Sequence, residues 1–135
     1  MKEWEASYIA GIIDGEGSIS LTRMHKGEFR RPCISISSTD KELLIYIKSL
    51  TDGVINNKKN YNPKRHKDSY TLTIKKKEKV FEVLEKTHPY LRVNKKRARA
   101  IWILKFYDKV SRRNGKYSPT LLKQKLQFEE EFFLL

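Results

Sequence analysis

The sequence predicts an α+β fold with one four-stranded antiparallel sheet, helices over a single face of it, and further helices at the C-terminal end. Twice, a stretch with helical spacing of apolar residues is followed by two short stretches that alternate polar with apolar. Beyond residue 77 the alternation gives way to helical spacing alone. At 135 residues the chain can bury one hydrophobic core but not two, so residues 1–135 are expected to form a single domain.

The elements follow in order. Trp4, Tyr8, Ile9, Gly11, Ile12 and Ile13 recur at helical intervals and predict a helix over residues 3–14. Ser18-Ile19-Ser20-Leu21-Thr22 and Cys33-Ile34-Ser35-Ile36-Ser37 alternate as strands, with a turn at His25-Lys26-Gly27-Glu28 between them. Thr39 or Asp40 is placed to cap a helix that carries Leu43, Leu44, Ile47 and Leu50 on one face and stops at Asp52-Gly53. Residues 54–59 and 69–75 predict a second hairpin around a long polar loop that contains Lys64, Arg65, His66 and Lys67. Val80, Phe81, Val83 and Leu84 mark a helix over residues 78–86. Asn94 is placed to cap another, with Ala98, Ile101, Trp102 and Phe106 facing inward, and Ser118-Pro119 opens the last.

Lys and Arg number 29 against 16 Asp and Glu, a net charge of +13. Such a field attracts polyanions, with nucleic acid foremost. A membrane partner would need a basic amphipathic helix or a lipid signal, and the sequence shows no N-terminal lipidation motif, no C-terminal prenylation box and no apolar run as long as a spanning helix, which ranks a membrane below nucleic acid. The N-terminus lacks a secretion signal's basic start and apolar block, so an intracellular protein is expected. Cys33, the only cysteine, excludes an internal disulfide and reads as a small half-buried strand residue.

If the helices cover one sheet face, alternation assigns the other to Ser18, Ser20, Thr22, Arg31, Cys33, Ser35, Ser37, Asn56, Lys58, Thr71, Thr73 and Lys75. Hydroxyls and amides can read base edges in a major groove while Lys and Arg hold phosphates. Residues 58–79 alone contain nine Lys or Arg and two acids. A merely solvated strand face would also be rich in hydroxyls; the concentrated charge favours double-stranded DNA.

Asp14 and Glu16 stand two residues apart, about 200° around a helix, and so cannot share one ion within a chain. Gly15 and Gly17 let the backbone leave the helix there, which puts Glu16 beside the negative end of the helix dipole. A carboxylate is unfavourable at that place without a cation. Together with carbonyls of the last turn, Glu16 makes a hard oxygen site suited to Mg²⁺. The second carboxylate must come from elsewhere. Ala10, Gly11 and Gly15 would let two copies of this helix meet closely across a two-fold axis, bringing two Glu16 side chains together. The same glycines would equally suit packing beneath a helix of their own chain. His25, His66 and His88 show no paired ligand spacing.

Ile9-Ala10-Gly11-Ile12-Ile13-Asp14-Gly15-Glu16-Gly17, with a strand directly after it, resembles the motif of LAGLIDADG homing endonucleases. The order of elements resembles that family's αββαββα core over residues 3–107. With one copy of the motif, the chain resembles the homodimeric branch. The resemblance implies a saddle-shaped sheet on a long pseudo-palindromic site and Mg²⁺-dependent hydrolysis of both strands. It implies that Glu16 and the Gly15 carbonyl bind metal, that Asp14 is structural, and that Ser37 orients water. Residues 90–98 resemble the stretch that supplies a basic pocket residue. Asn94 occupies the place where a lysine is common, which leaves Lys95 or Lys96 as substitutes. The same fold without cleavage, as in an RNA-splicing maturase bound to intron RNA or a transcription regulator, is the rival implied. A general RNA-binding domain would instead need aromatic residues exposed on the sheet.

Overall fold

The computed structural model describes residues 1–112 and 114–135. The chain runs α1 (Glu3–Glu16), β1 (Gly17–Thr22), β2 (Arg31–Ser38), α2 (Lys41–Thr51), β3 (Val54–Asn57), β4 (Tyr70–Ile74), α3 (Lys77–Thr87), α4 (Asn94–Phe106) and α5 (Pro119–Leu134). Short 3-10 turns at His88–Tyr90 and Asp108–Val110 flank α4. All strand pairs are antiparallel, in the order β1-β2-β4-β3. The predicted α+β class is the one observed.

Alternation along the strands divides the sheet. Ile19, Leu21, Ile34, Ile36, Leu72 and Ile74 are buried on one face, in a cluster with Ile9 and Ile13 of α1, Leu44 and Ile47 of α2, and Val80, Val83 and Leu84 of α3. Ala100 and Ile103 of α4 and Phe128 and Phe132 of α5 complete it. Each of the larger apolar side chains contributes about 1.5–3 kcal/mol by leaving water.

The boundaries differ from expectation where backbone geometry intervenes. Helix α1 continues through Gly15 and Glu16, and Gly17 leaves it in an extended conformation (φ −105°). Gly17 is required by proximity, because a Cβ there would lie 2.8 Å from the Ile13 Cα. Helix α2 ends as expected at Asp52, which takes the left-handed conformation itself (φ 59°), while Gly53 makes room for Leu72. Asp40 occupies the cap position of α2 without a side-chain bond; its own N–H donates to the Ser38 hydroxyl. Ser118 does cap α5, accepting from the Leu121 N–H, with Pro119 next.

Two expectations about burial and one about a helix cap are corrected. Ile101 is exposed, and Ala100 and Ile103 are the inward residues of α4. Asn94 is the first helical residue of α4 rather than its cap. Cys33 shares the parity of the polar row but is buried, and desolvation raises its thiol pKa.

Lys125 of α5 is buried at 1 % exposure. Its Nζ donates to the Ser111 hydroxyl at 2.6 Å and lies 4.3 Å from the centre of the Tyr107 ring. Burial pushes its pKa down to about 8, against the opposing pull of Glu129 and Asp108. The unfolded chain holds this proton up to the ordinary value of 10.5, so between those two values it binds more protons than the native state. Stability therefore rises with pH over that window. From pH 7 to pH 10.5 the wild type should gain about 3 kcal/mol relative to Lys125→Met in chemical denaturation. Parallel pH curves for the two proteins would refute this.

Candidate active site and nucleic-acid interface

The last turn of α1 holds no basic residue. Its negative end is met instead from α4: the Lys96 ammonium donates to the carbonyls of Ile13 and Asp14, both at 2.8 Å. That places a cation where the dipole and the two nearby acids favour one. Asp14 turns the other way. Its carboxylate accepts the N–H groups of Arg92 at 2.8 Å and Val93 at 3.1 Å, the donors that precede α4. The end of one helix is thereby fastened to the start of another.

Glu16 is exposed and makes no side-chain hydrogen bond or ion pair among the described residues. Gly17 stands opposite Ile36 in the β1–β2 ladder, so Ser37 is the next β2 residue toward the helix end that carries Glu16. The Ser37 hydroxyl shares a hydrogen bond with Thr71 at 3.0 Å. Gly15, Glu16, Lys96 and Ser37 thus collect around the junction of α1 and β1. Asn94 and Lys95 are exposed on the first turn of α4, where Asn94 accepts a bond from Arg97. Among the described residues no three His, Cys, Asp or Glu side chains converge on one point. One chain therefore offers a metal only the Glu16 carboxylate and neighbouring carbonyls, hard oxygen donors that fit Mg²⁺ but leave its coordination incomplete.

Gly11 and Gly15 are exposed, and a Cβ at either would meet nothing within 4 Å. This removes the reading in which they sit beneath a helix of their own chain. Ala10 is corrected: it is fully buried in the core and has no part in that free face. The face continues instead through Tyr8 and Trp4, 46 % and 62 % exposed. Residues 4, 8, 11 and 15 alternate steps of four and three, the spacing of a helix–helix seam.

The far side of the sheet carries rows fixed by strand register. Ser18, Ser35, Thr73 and Val54 form one, and Ser37, Thr71 and Asn56 the next. Ser20 pairs with Cys33, and Thr22 with Arg31. Ser18 and Ser35 share a hydrogen bond at 2.8 Å. Lys75 follows β4 and is exposed, while Lys58 lies just past β3 rather than within it. The β3–β4 loop is tied by Asn60, whose amide donates to the His66 carbonyl and the Asp68 carboxylate, and it leaves Lys64, Arg65 and Lys67 exposed.

The sequence model of the LAGLIDADG-like domain matches residues 3–100. The chain belongs to the LAGLIDADG family. Among solved structures, the homing endonuclease I-CvuI in complex with its target is similar at 19% identity, with a TM-score of 0.74 over 98% of this chain and 82% of that one. The archaeal intron-encoded homing endonuclease I-Vdi141I, complexed with DNA, gives 20% identity and a TM-score of 0.54 over the whole of both chains. The homing endonuclease I-TnaI gives 24% and 0.58 over 93% of this chain and 86% of that one. These likenesses establish the fold. No curated protein matches the sequence.

The LAGLIDADG helix of this chain is α1, and the matched region ends within α4, so it takes in the sheet and Lys96. Of Lys95 and Lys96, the two residues that could substitute for a lysine at position 94, only Lys96 reaches the end of the LAGLIDADG helix. The signal was present in the absence of any basic residue from that helix's last turn. Trp4 and Tyr8 share the helical spacing of the buried Ile9 and Ile13, and periodicity alone does not reveal that they lie exposed beside Gly11.

Proposed function

We propose that this chain is a site-specific DNA endonuclease that works as a homodimer and requires a divalent cation, Mg²⁺ or a similar ion. The observation that carries the reading is Glu16: an exposed carboxylate, without a partner among the described residues, at the end of a helix whose glycine face is open. Two such helices pairing through Gly11 and Gly15 bring together the Glu16 of each copy and the Gly15 carbonyls, enough hard oxygen to hold metal. The bound ion would activate water and stabilise the leaving oxygen. I-CvuI has been solved on its target in the presence of calcium and on another target in the presence of magnesium with the DNA not cleaved, conditions that support divalent cation use here.

The chain's own residues supply the rest. Ser18, Ser20, Thr22, Ser35, Asn56, Thr71 and Thr73 present donors and acceptors to base edges, and Arg31, Lys58, Lys75 and the loop cations Lys64, Arg65 and Lys67 hold phosphates. Ser37 orients water beside Glu16. Lys96, held against α1, screens charge that develops on the scissile phosphate. Among the described residues the exposed aromatics are Trp4, Tyr8, Tyr61 and Phe133, none of them on a strand. That disfavours a sheet that stacks single-stranded bases.

The test begins with selection of the target from random duplexes and its insertion in a plasmid. Linearisation in Mg²⁺ and none in EDTA is the expected result; tight binding without cutting in any divalent ion would overturn it. The interface is examined separately by salt dependence. A dimer that covers about ten phosphates should show a slope of log affinity against log salt near −9. A slope of about −3 would contradict a two-chain saddle.

A further inference from the structure

We propose that the outward face of α5 is a second self-association surface, on which another copy of the chain lays its own α5 antiparallel. Helix α5 buries Lys125, Phe128 and Phe132 against its own chain. The opposite side is apolar and uncovered: Leu122, Leu126 and Leu134 are 38 %, 54 % and 78 % exposed, and Pro119 begins the same stripe. Together these line a shallow groove with Lys123 toward one end and Glu130 toward the other.

The groove matches itself. A two-fold axis between positions 126 and 127 exchanges Pro119 with Leu134 and Lys123 with Glu130. In an antiparallel pair, each Lys123 therefore meets the Glu130 of the other copy, with Leu126 at the centre beside its own equivalent and Gln127. The same axis sets Leu122 against Glu131, whose carboxylate is drawn along its own helix by a hydrogen bond from Gln127 at 3.1 Å. A parallel pair would oppose Lys123 to Lys123 and Glu130 to Glu130, so the charges select the antiparallel register. Taken alone, an isologous patch of this kind closes on two copies. The occupant is accordingly a second copy rather than an unlike partner.

Helix α5 is a different element from α1, and the two proposed contacts share no residue. If the α1 pairing proposed above holds, each dimer carries two α5 faces, so α5 contacts link dimers into a tetramer or a longer assembly and bring duplexes together. The α5 contact itself does not depend on that pairing.

Sedimentation velocity of the full chain tests it in a Gly11→Glu background, where the α1 face is blocked. A concentration-dependent dimer should remain. Lys123→Glu alone and Glu130→Lys alone should each weaken it about tenfold or more, and the double exchange should restore it. A strictly monomeric Gly11→Glu chain overturns the proposal, as does a dimer indifferent to all three exchanges. Relative to wild type, Gly11→Glu reducing a tetramer or larger assembly to a dimer supports both contacts. A dimer that ignores Gly11→Glu but responds to Lys123→Glu refutes the α1 pairing and leaves the α5 contact standing.

Discussion

Glu16→Gln should lower single-turnover cleavage by about 10³-fold or more while duplex affinity, measured in Ca²⁺, changes by less than about threefold. The amide has the same shape but no charge, and a neutral oxygen is a poor ligand for a hard cation. Because Glu16 is exposed and has no side-chain partner among the described residues, its replacement should leave folding within about 0.5 kcal/mol of wild type. The combination separates a chemical role from a structural one. A variant that cuts within tenfold of wild type would remove Glu16 from the mechanism.

Asp14→Ala should have the opposite profile, with a large cost in stability. Its carboxylate satisfies two N–H donors at the entrance to α4, at 2.8 and 3.1 Å. Charge-assisted bonds of this kind contribute about 1.5–3 kcal/mol each, and partial exposure puts the expected loss at about 2–4 kcal/mol by urea denaturation. Asp14→Asn keeps one acceptor oxygen and should lose about half as much. Cleavage should fall too, since Lys96 reaches α1 from the helix that Asp14 anchors. An Asp14→Ala chain as stable as wild type would mean that the two helix ends are held together by other contacts.

Local pattern carried most of the fold. Strand parity separated Ile19, Ile34, Leu72 and Ile74 from Ser18, Ser35, Thr71 and Thr73, because a period of two leaves little freedom once one face is covered. Helical faces were less legible. Ala10 and Gly11 are neighbours, yet one is buried and the other open, since about 100° of rotation per residue carries small side chains from core to surface. On α4, packing against β1 and α3 goes with Ala100 and Ile103 facing inward and Ile101 exposed, a choice set by tertiary contacts with elements outside the helix. Lys125 defeats any rule based on polarity, because aromatic rings and the Ser111 hydroxyl enclose it. The site divides along the same line. The motif marked Glu16 and Gly15, whereas Lys96 meets α1 across 82 residues, a contact that no local spacing encodes.

The central claim is that two chains meet through α1 with their Glu16 side chains adjacent. Glu16→Cys tests it, because Cys33 is buried and leaves residue 16 as the accessible thiol. Two glutamates joined through an ion hold their Cβ atoms farther apart than a disulfide can span, so a short bifunctional thiol reagent is used to bridge them. Treated with that reagent on duplex DNA and run on a denaturing gel, the Glu16→Cys chain should shift to a covalent dimer while wild type stays a single chain. A Glu16→Cys protein that remains a single chain under those conditions would contradict the account.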